Sequence, residues 1–410
     1  MHTSTDRILT THAGSIPRGE PLGQMLINEE AGKPVDNSAL ESTIGLRISH
    51  VLEKQAEAGI DIINDGEQGR VGFQTYVTQR MSGFGGVSKR PYGKEFIEYP
   101  QFTKRMMERL GKISKVFDAP EAIADIKYRD TTLIDAEIER LTRLSAAVKP
   151  RVTEFFMNAP SPGIVATTML NAHYASHEAY LDAVAREIRT EYLAVIKAGF
   201  VLQIDAPDLA MERVLLFQDM SDMEYAKLVE QHIAALNKAL EGIPADRVRL
   251  HVCWGNWEGP HVHDVAMEVI LPALYQANVG ALGLEFANPR RQHETAAVAQ
   301  VQAARQTDPD PRRDRSEEQL RRTSRGGCAT HRDGGGRGGR PRARDRRRRL
   351  RLRHLRRLGM GHRGCGMGQA GDVARRGGHR LETAMGHVGG LSPPARAKSP
   401  ELGLILVIEG

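Results

Sequence analysis

The pattern of apolar and polar positions divides the chain into alternating helix-like and strand-like segments up to about residue 305. Helical spacing of apolar residues in "ALESTIGLRISHVLEKQAEAG" and "ASHEAYLDAVAREIRTEYLAVIKAG" predicts two amphipathic helices that end at Gly59 and Gly199. Shorter apolar runs predict buried strands, which are "RILTTHAGS", "IDIINDGE", "RVTEFFMNAPSPG", "FVLQIDAP", "RVRLHVCWG" and "VGALGLEFAN". The chain therefore contains about six strand-then-helix units.

This alternation indicates an α/β fold with a parallel sheet and right-handed crossovers. No predicted strand is followed by the glycine-rich GxGxxG fingerprint of an open dinucleotide-binding sheet. A (β/α)8 TIM-type barrel is therefore favoured over an open sheet. Only about six of the eight units are visible, and residues 1–304 are predicted to form this incomplete barrel.

Residues 305–410 have a different composition. Residues 295–410 hold 26 of the 57 Lys and Arg residues but only 11 of the 51 Asp and Glu residues, so the first 294 residues are net acidic. One interpretation is a disordered basic tail that binds nucleic acid. The other is GC-rich DNA translated out of frame, with the break near residues 294–302. In a shifted frame, 308–314 permit Ile-Leu-Ile-Pro-Gly-Val-Ile and 344–355 permit Val-Ile-Ala-Gly-Ala-Asp-Cys-Gly-Phe-Gly-Thr-Phe, which suit the two missing strands.

Polar side chains gather where the predicted strands end, which is the face on which barrel enzymes build active sites. Two of them, His251 and Cys253, are separated by one residue on a strand and therefore point to the same side. Glu285 ends the next strand, and a buried carboxylate is costly unless it is paired or coordinated. These three side chains predict three ligands of a zinc site. The shifted frame would add a cysteine where this chain has Leu350.

Five stretches resemble one enzyme family, and they are "TTHAGSIPR", "AGIDIINDGEQGRVGFQTYV", "LQIDAPDLA", "HVCWGNWEGPH" and "LGLEFANPR". The chain resembles the catalytic barrel of cobalamin-independent methionine synthases and their stand-alone relatives, which include epoxyalkane:coenzyme M transferase. The resemblance implies that zinc, held by His, Cys, Glu and a final Cys, activates a substrate thiol. It assigns His251, Cys253 and Glu285 to the first three ligand positions.

The same resemblance assigns Ser15, Glu67 and Asp205 to positions that hold the amino-acid substrate. It assigns no residue of this chain as the general acid. The implied reaction is methyl transfer from a methylated folate to homocysteine, and loss of the last ligand is expected to impair it. The alternatives are an alkyl:thiol transferase of the coenzyme M type and, in another class, a nucleic-acid-binding protein that uses the tail.

Composition sets the expected compartment and partners. Three cysteines are too few for a disulfide framework, and the N-terminal residues lack the pattern of a signal peptide. No apolar run reaches the roughly 20 residues of a membrane span. We therefore expect a cytoplasmic enzyme with zinc as its cofactor, a small-molecule thiol and a methyl donor as its partners, and no membrane contact.

Overall fold

A parallel β-sheet with helices between successive strands organises the computed structural model, which describes residues 1–110, 119–255, 257, 259–286, 288–298 and 403–406. In chain order, the helices and strands are α1 (Leu22–Glu30), α2 (Asn37–Glu57), β1 (Ile62–Ile63), α3 (Val77–Arg80), β2 (Met81–Gly85), α4 (Lys94–Glu98), α5 (Pro100–Leu110), β3 (Glu121–Tyr128), α6 (Thr132–Ser145), β4 (Glu154–Pro160), α7 (Pro162–Thr168), α8 (His177–Lys197), β5 (Val201–Asp205), α9 (Asp222–Ala239), β6 (Val248–Val252), α10 (Met267–Leu274), β7 (Ala281–Leu284) and β8 (Gly403–Leu406).

The main sheet has the order β1-β4-β5-β6-β7-β8, and every neighbouring pair in it is parallel. Helices α7 and α8 connect β4 to β5, α9 connects β5 to β6, and α10 connects β6 to β7. All residues of β5 and β6 are buried, as expected for a parallel sheet that is covered on both faces. The predicted α/β class with a parallel sheet is therefore confirmed.

The sheet is curved rather than flat, as contacts across its inner face show. The segment that contains Thr10 and Thr11 lies beside β1, because the carbonyl of Thr10 accepts hydrogen bonds from the backbone N–H groups of Asp61 (3.1 Å) and Ile62 (3.0 Å). Arg249 on β6 nevertheless donates to the hydroxyl of Thr11 at 3.0 Å. Strands β4 and β5 separate β6 from β1, at about 4.8 Å per strand. Curvature brings β6 within reach of the segment beside β1, as in the predicted incomplete barrel.

Serine caps explain where the long helices begin. Ser176 accepts a hydrogen bond from the backbone N–H of Ala179 at the start of α8, and Ser221 forms a capping box with Glu224 at the start of α9. The bounds of α8 agree with the predicted helix that ends at Gly199, and those of α9 agree with a helical apolar pattern over roughly 222–241. Their apolar faces pack against the sheet and form much of the buried core.

Three local predictions differ from the structure. The stretch "RILTTHAGS" has the predicted turn, at Gly14 with φ of +132°, but not the strand before it, where Thr10 and Thr11 bond to the start of β1. The apolar pattern predicts a helix over 262–276, but α10 begins at Met267, since side chains of His261 and Asp264 bond to each other in the preceding loop. The long segment between β1 and β4 contains an antiparallel pair of strands, β2 and β3, that the apolar pattern did not indicate.

The predicted domain boundary at residue 304 lies outside the described residues, as does most of the predicted tail, so this division stays a prediction. Within the tail the structure describes β8, which pairs with β7 in register from Ala281 with Gly403 to Leu284 with Leu406. No helix in the described part of the chain is long and apolar enough to cross a membrane.

Candidate active site

Polar side chains line the inner face of the sheet near the carboxyl ends of β4, β5 and β6. In the strand register, Asn158 is opposite Gln203, Gln203 is opposite Arg249, and Asp205 is opposite His251. Residues two apart on a strand share a face, so Gln203 and Asp205 point the same way, as do Arg249 and His251. All five are buried. The sequence-predicted Asp205 and His251 are thus brought together among polar neighbours.

Asp205 is the central acceptor of this group. Its Oδ1 atom is 2.9 Å from Nδ1 of His251 and accepts a 2.7 Å hydrogen bond from the amide of Gln203. Its Oδ2 atom accepts a 2.7 Å hydrogen bond from the amide of Asn158. Three side chains therefore contact this carboxylate, and one of them, Gln203, was not singled out by the sequence analysis.

The three predicted metal ligands lie at the ends of neighbouring strands. Cys253 follows directly after β6, and Glu285 follows directly after β7. Val252 and Leu284 are partners in the register, so Cys253 and Glu285 are the next residues on two adjacent strands. Within the described ranges, however, no three or more His, Cys, Asp or Glu side chains are arranged to hold a metal ion. The donor types match those of zinc sites, so the assignment of these three residues as metal ligands stays a prediction.

Glu67 occupies the loop that leaves β1, and its surroundings are unusual. Its backbone is left-handed, with φ of +54°, although it is not a glycine. Its side chain is buried, and among the described residues its Oε2 atom has no hydrogen-bond partner. Burial and then the charge of Asp205 raise the pKa of Glu67 to about 7, against the opposing effects of Arg70 and Arg18. A buried carboxylate with an unused oxygen suits recognition of a cationic group.

Ser15 lies in the turn that brings the N-terminal segment to the same end of the sheet. The carbonyl of Ala13 accepts hydrogen bonds from the amides of both Asn158 (3.0 Å) and Gln203. The backbone N–H of Ile16 donates to the carbonyl of Gly66, which is next to Glu67. Ser15 itself is exposed, unlike Glu67 and Asp205. The turn is therefore fixed beside the two predicted carboxylates, while the serine side chain faces outward.

No protein-family model matches the chain. The chain is 26% identical over 275 residues to a methionine synthase of Sulfolobus acidocaldarius, which covers 66% of this chain and 68% of the relative. It is 23% identical over 278 residues to a methionine synthase of Saccharolobus solfataricus (67% and 72% covered) and 25% identical over 285 residues to that of Pyrococcus furiosus (68% and 68%).

The chain is a relative of the methionine synthases. A solved B12-independent methionine synthase from Shewanella sp. W3-18-1, in complex with selenomethionine, aligns with a TM-score of 0.47 and 20% identity over 67% of this chain and 72% of that chain. The family predicted from the five sequence stretches is the one to which these sequence relatives belong.

In this methionine synthase relative, sequence reasoning missed the polar residues below the strand ends. Arg249 and Gln203 lie in the middle of completely buried strands, where a charged or amide side chain has to be satisfied by other protein groups. A polar side chain in the middle of an apolar strand was the sequence signal from which these two residues could have been predicted. Asn64, which donates to Oδ1 of Asn158 at 2.8 Å, gave a weaker one because it sits next to the loop of Glu67.

Replacing Gly14 by alanine is expected to lower the free energy of unfolding by about 3 kcal/mol. A Cβ atom at this position would lie 2.3 Å from the amide nitrogen of Asn158, and φ is +132°. Chemical denaturation of the variant measures the effect. Gly242→Ala is the matched control, since φ there is +73° and no atom lies within 4 Å of the added Cβ, so only the backbone cost of about 1 kcal/mol is expected. Equal losses in the two variants would contradict a close contact at Gly14.

Proposed function

We propose that the chain is a zinc-dependent methyltransferase that transfers the methyl group of a methylated folate to the thiol of homocysteine and so forms methionine. The observation that carries the proposal is the meeting of Glu67, Asp205 and His251 at one end of the sheet in a relative of the methionine synthases. The proposed partners are therefore these two small molecules. We expect the reaction to take place in the cytoplasm.

The buried carboxylates favour an amino acid as the thiol substrate. Asp65, Glu67 and Asp205 are all buried near one another, and burial raises the pKa of both Asp65 and Glu67. A primary ammonium group would offset this concentration of negative charge, and the unused oxygen of Glu67 is available to accept its hydrogen bond. A sulfonate thiol such as coenzyme M would add negative charge instead. Homocysteine is therefore the first choice over the alkyl:thiol transferase alternative.

The residues that would hold zinc are His251, Cys253 and Glu285. Their donor atoms are an imidazole nitrogen, a thiolate and a carboxylate, which are the usual zinc ligands in proteins. When bound, zinc would lower the pKa of the substrate thiol and so present it as a nucleophile at neutral pH. In this scheme Glu67, Asp205 and Ser15 hold the amino-acid substrate, and Asp205 also orients His251. No described residue is assigned as the general acid.

The fourth ligand position of the family corresponds to Leu350, which is outside the described residues. A three-ligand set has fewer bonds to the metal, so we expect zinc to be held more weakly and the activity to be reduced. The basic tail also lies outside the described residues, and nothing in the described part of the chain favours the nucleic-acid-binding alternative.

Two measurements test the proposal together. Zinc binding is followed by competition with a chromophoric chelator, and methionine formation is followed by mass spectrometry with methylfolate and homocysteine. His251→Gln and Cys253→Ser are expected to abolish competition for zinc, whereas Cys328→Ser, a cysteine in the tail, is the control and is expected to have no effect. Glu67→Gln is expected to raise the KM for homocysteine by about 10- to 100-fold, the equivalent of one charged hydrogen bond.

Two results would contradict the proposed function. One is the absence of methionine when zinc is bound and both substrates are supplied. The other is methylation of coenzyme M at a rate equal to that of homocysteine, with no effect of Glu67→Gln on either substrate. The second result would favour an alkyl:thiol transferase, because an ammonium-binding carboxylate has no role with a sulfonate thiol.

A further inference from the structure

We propose that a directional hydrogen-bond network fixes His251 in the tautomer that carries its proton on Nδ1, and that Asp205, Gln203 and Arg249 are positioning residues for that imidazole. The network is defined here by Arg249, Gln203, Asn64, Asn158 and Asp205, and is called the Asp205 network. Each of its links joins named atoms within hydrogen-bond distance.

The first branch of the Asp205 network starts at a group that can only donate. Nε of Arg249 donates to Oε1 of Gln203 at 2.7 Å, which fixes the orientation of that amide. The NH2 group of Gln203 must then point the other way, and it donates to Oδ1 of Asp205 at 2.7 Å. Arg249 is buried, lies 3.8 Å above the ring of Phe156 and forms no ion pair with a described carboxylate. Its guanidinium therefore acts through the amide.

The second branch also starts at an obligatory donor. The backbone N–H of Gly66 donates to Oδ1 of Asn64 at 2.9 Å, so the NH2 group of Asn64 points toward Oδ1 of Asn158 and donates to it at 2.8 Å. The NH2 group of Asn158 must in turn donate, and it reaches Oδ2 of Asp205 at 2.7 Å. Both oxygens of Asp205 are thus acceptors by the logic of the network.

The two branches also share a second acceptor, and this contact provides a check on which groups donate and which accept. The remaining N–H of Gln203 and the remaining N–H of Asn158 both donate to the carbonyl oxygen of Ala13, a group that can only accept. All four amide hydrogens are therefore used, and neither amide can be turned over without placing two donors or two acceptors in contact. The same carbonyl ties the turn before Ser15 to the network.

The tautomer of His251 follows from this direction. Oδ1 of Asp205 already accepts from Gln203 and lies 2.9 Å from Nδ1 of His251, so Nδ1 is the nitrogen that carries the proton. Nε2 is then the nitrogen with the lone pair. A metal-binding histidine is usually oriented in this way by a carboxylate on its other nitrogen. This consequence for zinc rests on the proposed function, whereas the tautomer itself does not.

Nitrogen-15 NMR of the imidazole groups tests the inference on the metal-free chain at about pH 8, where an ordinary histidine is neutral. The signals of His251 are identified by their loss in His251→Asn. We expect a pyrrole-type shift for Nδ1 and a pyridine-type shift for Nε2. In Asp205→Ala the directing acceptor is removed, and the pattern is expected to reverse toward the proton on Nε2, which a free imidazole side chain prefers.

Glu98→Ala is the matched control, because Glu98 pairs with Nε2 of His263 at 2.6 Å on the surface, and the signals of His251 are expected to stay unchanged. A pyridine-type Nδ1 in the unsubstituted chain would overturn the inference, as would an unchanged pattern in Asp205→Ala. If that variant does not fold, the spectrum of the unsubstituted chain decides alone.

A titration with Zn²⁺ alone separates this inference from the proposed function. Asp205→Ala is expected to weaken zinc binding by about 10- to 100-fold, the usual cost of losing a carboxylate that orients a metal-bound histidine. Unaltered affinity would contradict the positioning role. If the unsubstituted chain binds no zinc, the proposed zinc site is wrong. The NMR experiment still decides the tautomer of His251, because it is made on the metal-free chain.

Discussion

Replacing Glu191 by glutamine is expected to lower the free energy of unfolding by about 3–5 kcal/mol, the range measured when one partner of a buried ion pair is removed. Glu191 on α8 is fully buried and lies 2.8 Å from the guanidinium of Arg80. It also accepts hydrogen bonds from the hydroxyls of Tyr76 and Tyr128, the latter at 3.1 Å. An amide at this position would leave the buried charge of Arg80 less well compensated and would turn one acceptor into a donor.

The effect is expected to be large because Glu191 belongs to a balanced cluster of buried charges. Arg80 also lies 2.6 Å from Glu137, and Arg70 pairs with Glu137 at 2.9 Å. Burial alone would raise the pKa of Glu137, but the two guanidinium groups lower it to about 2. Both guanidinium groups also lie about 4 Å from the ring of Tyr76, on which they make cation–π contacts. Loss of one negative charge therefore upsets the whole cluster.

Asp182→Asn is the control on the same helix. Asp182 pairs with Lys238 at 2.7 Å, but both side chains are exposed, so the cost is expected to stay below about 1 kcal/mol. Chemical denaturation of both variants gives the comparison. Similar small losses in the two variants would show that the cluster around Glu191 is not buried in solution.

The sequence predicted those parts of the fold in which local preference and burial agree. Helices α8 and α9 begin at serine caps, end near glycines and carry a continuous apolar face, so their bounds could be read directly. The stretch "RILTTHAGS" has the composition of a strand, yet it forms none: Thr10 and Thr11 bond to the start of β1, and the chain then turns at Gly14. The Gly-Ser pair predicts a turn there, but the close approach of Asn158 to Gly14 comes from a distant strand, and no local pattern indicates it.

Candidate site residues could be predicted for a related reason. Polar residues at the ends of apolar strands stand out in a sequence, which is why Glu67, Asp205 and His251 were predicted as site residues. The side chains that orient them are not at strand ends. Gln203 and Arg249 are in the buried middle of β5 and β6, and their roles depend on which strands become neighbours. Such pairings are set by the register of the sheet and not by spacing along the chain.

The strand β8 also shows that distance along the chain does not determine which strands pair. Its apolar sequence, within "LGLILVIEG", is typical of a buried strand, but its position is more than 100 residues after the last predicted unit. The structure pairs it with β7, in parallel, at the edge of the sheet that the sixth unit would leave open. An apolar segment pairs where an edge with unsatisfied backbone groups is available, and sequence distance has little influence on that choice.

Buried neutral histidines connect the site to the stability of the whole fold. His12 lies beside the Asp205 network, where its Nε2 is 2.7 Å from the side-chain oxygen of Gln55 and its Nδ1 accepts from the backbone N–H of Gly14 at 3.1 Å. Burial lowers the pKa of His12 to about 4, and nearby Arg249 lowers it further against the raising effect of Gln55. Protonation of Nδ1 would break the bond to Gly14 and place a second positive charge next to Arg249.

We therefore expect His12 to destabilise the fold in acid. Its pKa in the folded chain, about 4, is below the value of about 6.5 in an unfolded chain, so its stabilising contribution is complete above pH 6.5 and is lost as the pH falls toward 4. The difference corresponds to about 3 kcal/mol.

Urea unfolding across this range should show a loss smaller by that amount in His12→Asn than in the unsubstituted chain. Other groups, such as the half-buried His177 with its pKa of about 4, titrate in both chains and cancel in the difference. His50→Asn, at an exposed position on α2, is the control, and it is expected to leave the pH dependence unchanged. If His12→Asn loses as much stability as the unsubstituted chain, His12 is not held neutral by the fold.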